Sequence, residues 1–229
     1  MLEFLRARPV FAGLPVRELG WLAAAAREES CRAREYVFHE GDAALWLCLV
    51  KAGHVRIVRH SRMGKDVVLE LLGPGEIFGG VAVFERRPYP AAAQATEPSV
   101  VVKIPAEVAA GLAERHPGVI REMALLIGRR LRTAHDSVMS LSVEPVEARL
   151  AATLLRLADR EGIRTNRGIE LPYHLTRRSL ADMSGTTVET SIRVVGRWLR
   201  DALVKDLGGR LVVRDREGLE DLARGEAEQ

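Results

Sequence analysis

The sequence predicts an α+β protein: an N-terminal antiparallel β-roll, one long helix, and a C-terminal pair of short helices followed by a β-hairpin. Three observations support this fold class. Short β-rich runs alternate with glycines over residues 34–105, as in antiparallel rolls and barrels. The apolar residues of segment 117–141 recur at alternate spacings of four and three. Segment 175–204 contains two amphipathic helical stretches separated by Ser184-Gly185-Thr186.

These patterns divide the 229 residues into three parts. Residues 1–116 are predicted to form a compact sensor or binding module, in which N-terminal helices precede the roll. Residues 117–144 form the long helix and a hinge, since Glu144 precedes Pro145 and a residue before proline avoids the helical region. Residues 145–229 begin with an amphipathic helix and form the C-terminal domain.

The composition excludes several classes of protein. Hydrophobic content of 47% and charged content of 28% are ordinary for a globular chain. No apolar run approaches the roughly 20 residues of a membrane span, and no segment resembles a secretion signal. Cys31 and Cys48 fit no metal-binding spacing, so we expect buried free thiols in a reducing cytoplasm. Two cysteines cannot supply the four thiolates of an iron–sulfur cluster.

The glycine-rich turns of the roll suit tight connections, because glycine reaches positive φ without strain. The candidates are Gly41-Asp42, Gly53-His54 and Met63-Gly64. The pair Gly79-Gly80 precedes a short helical run, where free backbone N–H groups could meet an anion or a polar ligand. A purely structural role for this glycine-rich loop is the alternative.

The long helix carries a narrow apolar seam through three heptads. Pro117 suits its first turn, where the missing N–H costs nothing. A seam this long and this narrow favours a parallel helix–helix dimer. A long helix packed on its own domain is the alternative. The predicted interface residues are Ile120, Ala124, Ile127, Leu131, Ala134, Val138 and Leu141.

The C-terminal helices match the helix-turn-helix signature of two short helices joined by a glycine-containing turn. Thr176 is predicted to cap the first helix, and the second runs from Thr187 to about residue 202. Ile192, Val195 and Leu199 are expected to pack on the first helix. Residues 173–214 contain eight basic and four acidic residues. This excess of positive charge suits an acidic partner.

Together these parts resemble the CRP/FNR family of bacterial transcription regulators over roughly residues 10–222. Residues 38–42 (FHEGD), 72–78 (LGPGEIF) and 175–198 carry the resemblance. It implies a cyclic-nucleotide-binding-like β-roll and a winged helix-turn-helix. The implied partners are a second copy of the chain, palindromic double-stranded DNA and RNA polymerase. No enzyme motif such as a Walker loop, a nucleophile elbow or HExxH is present, so we expect no enzyme.

The resemblance places the second helix in the major groove. The implied base-facing residues are Thr187, Val188, Glu189, Thr190 and Arg193. The implied phosphate contacts are Thr176, Arg177, Thr187 and Arg197.

The chemistry of these residues supports base reading. Glu189 can accept from a cytosine amino group, and Arg193 can donate to guanine O6 and N7. The alternative is that these two side chains form only a surface ion pair four residues apart. Val188 stands where catabolite-activator-like members carry arginine, which looks more like the FNR branch and its TTGAT-type half-sites.

The predicted effector pocket departs from the cyclic-AMP-binding members, which have a glycine–glutamate pair and an arginine–serine pair. Here those positions look like Gly79-Gly80 and Pro90-Ala91, and the base-contacting positions of the long helix look like Ala134 and His135. Alanine and proline cannot replace the charge-assisted bonds to ribose and phosphate. We therefore expect an effector other than cyclic AMP, with a cyclic-nucleotide-responsive regulator as an alternative.

The remaining candidates give an apolar pocket. Phe78, Val81, Val83 and Tyr89 would line it together with the long helix. Some family members with an apolar sensor region bind haem, which makes haem the leading specific hypothesis. A haem or gas carrier without DNA-binding activity is a further alternative. The spacing of the conceivable iron ligands selects none of them: His39, His54, His60, His135 and Met63.

Overall fold

The computed structural model describes residues 1–60 and 66–225, except the side chains of residues 60, 66, 137, 141 and 142. The Met63-Gly64 turn therefore lies outside the described residues. The chain divides into two compact units, Met1–Arg132 and Thr133–Gln229. Among the described residues we find no helix with the length and apolar character needed to cross a bilayer.

The first unit begins with three short helices, continues through the β-roll, and ends in the first part of the long helix. Its helices are α1 (Leu2–Arg6), α2 (Pro9–Ala12), α3 (Val16–Ala25), α4 (Gly80–Glu85), α5 (Ala106–Arg115) and α6 (Pro117–Val143), the last of which continues into the second unit. Its strands are β1 (Arg27–Cys31), β2 (Tyr36–Phe38), β3 (Trp46–Ala52), β4 (Val55–His60), β5 (Asp66–Leu72), β6 (Ile77–Phe78), β7 (Ala92–Ala95) and β8 (Ser99–Pro105).

The strands form two antiparallel four-stranded sheets, in the orders β1-β8-β3-β6 and β2-β7-β4-β5. This confirms the predicted roll. Apolar residues of both sheets pack into one cluster, with Val50 and Val101 from the first sheet and Val55 and Leu72 from the second. A second cluster joins the N-terminal helices, β3 and β8 to Val119 and Met123 of α6. The start of the long helix is therefore part of the core of the first unit.

Cys31 and Cys48 are free and buried, as predicted. Burial raises the pKa of the Cys48 thiol to about 12. A thiol with so high a pKa holds almost no thiolate at neutral pH and is chemically inert. Both residues belong to the cluster between the sheets, where they act as small apolar side chains.

The second unit contains the predicted helix-turn-helix and its hairpin. Its elements after α6 are α7 (Val146–Glu161), β9 (Ile163–Thr165), β10 (Gly168–Glu170), α8 (Arg177–Met183), α9 (Val188–Arg200), β11 (Val204–Leu207), β12 (Arg210–Val213) and α10 (Arg216–Arg224). The four strands pair in the order β11-β12-β10-β9. Helices α8 and α9 are the helix-turn-helix, and β11–β12 is the wing.

The expected packing of α9 was wrong for two residues. Ile192 is 54% exposed and Leu199 is 36% exposed. The buried stripe of α9 instead consists of Ser191, Val194, Val195 and Trp198, which have the spacing of one helical face. Trp198 is fully buried, and its bulk fixes which face of α9 turns inward. Of the three residues expected to pack there, only Val195 lies on that face.

Two glycine turns of the roll allow the cost of backbone strain to be compared with the cost of steric overlap. Gly41 and Gly53 both have positive φ, +89° and +75°. A Cβ on Gly41 meets nothing within 4 Å, whereas a Cβ on Gly53 overlaps Ser99 Oγ and the Pro98 carbonyl. We expect Gly41→Ala to cost about 1–2 kcal/mol of unfolding free energy from strain alone. Gly53→Ala should cost more. Calorimetric unfolding of the two variants checks this order, and equal losses would contradict it.

Candidate nucleic-acid interface and effector pocket

Threonine caps set the start of both helices of the helix-turn-helix. Thr176 Oγ1 accepts from the Ser179 backbone N–H at 3.0 Å, and Thr187 Oγ1 accepts from the Thr190 N–H at 3.2 Å. Each cap satisfies one of the N–H groups that have no partner inside the helix. The two predicted phosphate contacts at Thr176 and Thr187 therefore lie at the positive ends of α8 and α9, where backbone N–H groups favour anions.

The outer face of α9 presents Glu189 and Arg193, both exposed, with Val188 and Thr190 half-buried beside them. In the described part of the chain no ion pair joins Glu189 to Arg193. The pKa of Glu189 is lowered by its own backbone N–H, then by the Thr187 hydroxyl, with help from Arg178. The Glu189 carboxylate is thus ionised at neutral pH and can accept hydrogen bonds from a base edge.

Two predicted phosphate contacts already have partners in the chain. Arg177 donates to Asp206 Oδ2 of the wing strand β11 at 2.9 Å. Arg197 donates to Glu147 Oε2 of α7 at 2.7 Å. Both pairs tie the helix-turn-helix to its surroundings. A DNA phosphate would have to share these guanidinium groups with the carboxylates.

Two residues of this face were missed by sequence reasoning. Ile192 lies three residues after Glu189, so its exposed side chain stands on the outer face of α9 next to Glu189. Arg178, exposed on α8, acts on the charge of Glu189. The apolar character of Ile192 suggested burial, and only the phase of α9 set by Trp198 placed it outside.

The apolar seam of α6 is exposed. Large side chains on it have exposed fractions of 42–61%. The described seam residues, all exposed, are Ile120, Ala124, Ile127, Leu131, Ala134 and Val138; the side chain of Leu141 lies outside the description. The adjacent stripe of Val119, Met123 and Leu126 packs on the core of the first unit. Helix α6 thus has two apolar faces, of which one packs against the core of the first unit and the other is exposed.

A cavity of about 160 Å³ opens in the first unit between β4, β5, β6, α4 and α6. Seven of the predicted pocket residues line it: Phe78, Gly79, Gly80, Val81, Tyr89, Pro90 and Ala91. Val83 does not line the cavity and is buried in the helical core cluster instead. Ala134 and His135 lie on α6 beyond the lining residue Arg130, exposed, and belong to the second unit.

Arg130 is the charged residue that α6 brings to the cavity. Its Nε lies 3.2 Å from Glu70 Oε2 of β5, and its terminal N–H donates to the Ile77 carbonyl of β6 at 2.7 Å. The same helix therefore contacts two strands of the pocket wall. From the sequence, Arg130 could be placed only outside the seam. Its contacts with β5 and β6 were not predicted, because the heptad pattern does not show which strands lie next to the helix.

The floor of the cavity is filled by an aromatic pair. The Tyr89 ring stacks on Phe38 with centroids 3.6 Å apart. The Tyr89 hydroxyl donates to the Trp46 carbonyl at 2.7 Å and accepts from the Trp46 N–H at 3.1 Å. Burial raises the pKa of Tyr89 to about 12, so its hydroxyl stays protonated.

Gly80 is closely covered by core side chains. A Cβ there would lie 2.7 Å from Met123 Cε and 3.0 Å from Leu47 Cδ1. A glutamate at position 80, the ribose ligand of cyclic-AMP-binding members, would therefore require these side chains to move.

The cavity lining does not fit a haem. Its described residues include no histidine or cysteine. Tyr89 and Met123 carry atoms that could ligate iron, but the Tyr89 hydroxyl is bonded to Trp46 and Met123 packs in the core. His54 is buried against Glu97, with Nδ1 2.7 Å from Oε1, while His39 and His135 are exposed. Met63 and the side chain of His60 lie outside the description.

No group of three histidine, cysteine, aspartate or glutamate residues in the described ranges could hold a metal ion.

Comparison with known proteins gives the same two-part organisation. Residues 28–116 match the cyclic nucleotide-binding domain, and residues 148–222 match the Crp-like helix-turn-helix domain. The chain is 30% identical to the cyclic AMP receptor protein of Thermus thermophilus, over 96% of this chain and 99% of that protein. It is 25% identical to the anaerobic regulatory protein of Haemophilus influenzae, over 86% and 76%.

The solved structure of FixK2 from Bradyrhizobium japonicum has the same fold. It superposes with a TM-score of 0.78 at 24% identity, over 86% of this chain and 96% of that one. Fold and site together define a DNA-binding transcription regulator with a cyclic-nucleotide-binding-like domain. The chain belongs to the CRP/FNR family. Its relatives are transcription regulators rather than enzymes.

Proposed function

We propose that this protein acts as a homodimer, binds palindromic DNA in a sequence-specific manner, and is controlled by a small effector in the β-roll cavity. The observation that carries the proposal is the double role of Ile127. This residue lines the cavity and also lies on the exposed seam of α6. An effector that moves this turn of the helix changes the surface that a second copy would meet.

A second copy also accounts for the size of the cavity. Ligand pockets usually measure about 300–1,000 Å³, whereas this cavity measures about 160 Å³. The α6 helix of a partner, packed on the seam beside Ile127, would cover the open side and complete the pocket. The proposed effector is a small, mostly apolar molecule, because the lining is apolar except at Glu70 and Arg130.

Dimerisation also explains the proposed DNA site. Two α9 helices related by a two-fold axis read half-sites about 34 Å apart, one turn of the duplex. Glu189 and Arg193 then read base edges, and Val188 and Ile192 offer apolar contacts to thymine methyl groups. The absence of arginine at position 188 favours half-sites of the TTGAT type. RNA polymerase is the further partner expected of such a regulator.

The seam gives a direct test of the dimer. Leu131 lies on the seam and is 54% exposed, while Leu125 lies off it and is 45% exposed. We expect Leu131→Asp to shift the protein to monomers in sedimentation equilibrium, because the charge would be buried between the two helices. Leu125→Asp should leave the dimer intact. A wild-type protein that remains monomeric, with or without palindromic DNA, would contradict the proposal.

Arg193 tests the reading of bases. Arg193→Ala is expected to cost about 1–3 kcal/mol of binding free energy and to relax preference at one base position. Arg17→Ala removes the same charge from an exposed site on α3 of the first unit and should preserve that preference. Binding to a randomised half-site library measures both. Equal weakening on palindromic and random DNA would remove Arg193 from the base-reading role.

Cyclic AMP tests the pocket. The alternative of a cyclic-nucleotide-responsive regulator draws support from the Thermus relative, whose name describes a cyclic AMP receptor. We expect titration with cyclic AMP to change neither the total tryptophan fluorescence, to which Trp46 beside the cavity contributes, nor DNA affinity, because position 80 lacks a carboxylate. Micromolar binding measured by calorimetry would support the cyclic-nucleotide alternative instead.

A further inference from the structure

Arg149 in the C-terminal unit is a cation that has no role in the DNA-facing surface described above. It lies in the first turns of α7, half-buried. Its guanidinium donates to three backbone carbonyls: Ser184 at 3.0 Å, Gly185 at 3.2 Å and Glu144 at 2.8 Å. The first two carbonyls belong to the turn between α8 and α9. The third belongs to the residue that follows α6.

These carbonyls lie at or just beyond the C-terminal ends of helices α8 and α6. Such ends leave carbonyls without intrahelical partners and carry partial negative charge. A guanidinium can both bond these carbonyls and neutralise the partial charge, because it has five donors in a rigid planar fork and a permanent positive charge. A lysine could keep the charge but could not hold three carbonyls in one fixed arrangement. Arg149 therefore links the hinge peptide and the helix-turn-helix turn in a way specific to arginine.

The turn does not depend on Arg149 for its own shape. The Thr186 N–H donates to the Ala181 carbonyl at 3.0 Å, and the Ser184 N–H donates to the Leu180 carbonyl at 3.1 Å. Helices α8 and α9 keep their caps at Thr176 and Thr187 as well. What Arg149 adds is the bond to Glu144, which lies outside the helix-turn-helix.

Glu147, two residues earlier on α7, holds the other end of α9. Its Oε2 accepts from Arg197 at 2.7 Å, and its Oε1 accepts from the indole N–H of Trp198 at 2.9 Å. Helix α7 thus holds α9 near its end through Glu147 and the preceding turn through Arg149. Glu147 makes no bond to the hinge in the described contacts, so its role is confined to the DNA-reading unit.

We infer that Arg149 is a positioning residue. It fixes the position of α9 relative to the C-terminal end of α6, so that a movement of that end also moves α9. The inference rests on the proposed dimer, in which the two α6 helices set the distance between the two α9 helices. Through its bond to the Glu144 carbonyl, Arg149 carries a change in the position of α6 across the hinge at Glu144-Pro145 to α9. It does not contact DNA or the effector.

The test compares a single half-site with palindromes of varied spacing, using the full-length dimer. In Arg149→Gln and Arg149→Lys we expect half-site affinity close to wild type. Affinity for the optimally spaced palindrome should fall about tenfold, within the usual range for coupled sites. In the same variants, palindromes with one base pair inserted or removed should bind nearly as tightly as the optimally spaced palindrome. Arg160→Gln, on the same helix and bonded to the adjacent Glu161, should keep the wild-type spacing preference.

Glu147→Gln provides the contrasting variant, because it loosens α9 itself and should weaken half-site and palindrome equally. An unchanged spacing preference in both Arg149 variants would overturn the inference. So would an equal loss on half-site and palindrome, or loss of folding by circular dichroism in both, since Arg149 would then serve stability alone. A wild-type protein without any palindrome preference would instead overturn the proposed function.

Discussion

The structure depends on one constraint: helix α6 carries two apolar stripes displaced from each other by one residue. Val119, Met123 and Leu126 pack on the core of the first unit, while Ile120 and its seam remain exposed. Burying one stripe fixes the rotation of the helix about its axis. The direction of the other stripe is then also fixed, so the cluster formed by the N-terminal helices, β3 and β8 decides which way the seam faces.

The same rotation places the polar features of the pocket. Arg130 continues the inward stripe and reaches Glu70 and the Ile77 carbonyl. Interactions of this kind are stronger beside an apolar lining than in water. The opposite wall, with Gly80 under Met123 and Leu47, is closed by packing. The pocket therefore has a polar end at Glu70 and Arg130 and an otherwise mostly apolar lining.

Much of this organisation could be predicted because it depends on local patterns. Alternating glycines and β-rich runs gave the antiparallel roll, and the threonines at positions 176 and 187 gave the starts of α8 and α9. The failures have a common physical origin. Ile192 was expected to be buried and Val83 was expected in the pocket, in both cases because the side chain is apolar. In both cases the direction of the side chain depends on how its helix is rotated against the rest of the unit, which the residue type alone does not show.

The sequence by itself determined the order of the parts, the two apolar periodicities and the residue types available to read DNA, because these depend on spacing along one chain. Only the tertiary structure decided which stripe of α6 is buried, which carboxylates hold Arg177 and Arg197, and which helix-turn-helix carbonyls Arg149 joins. Those pairings, with that of Arg130 and Ile77, connect residues 29 to 53 positions apart. Spacing along the chain does not encode such contacts, because they exist only once each unit has folded.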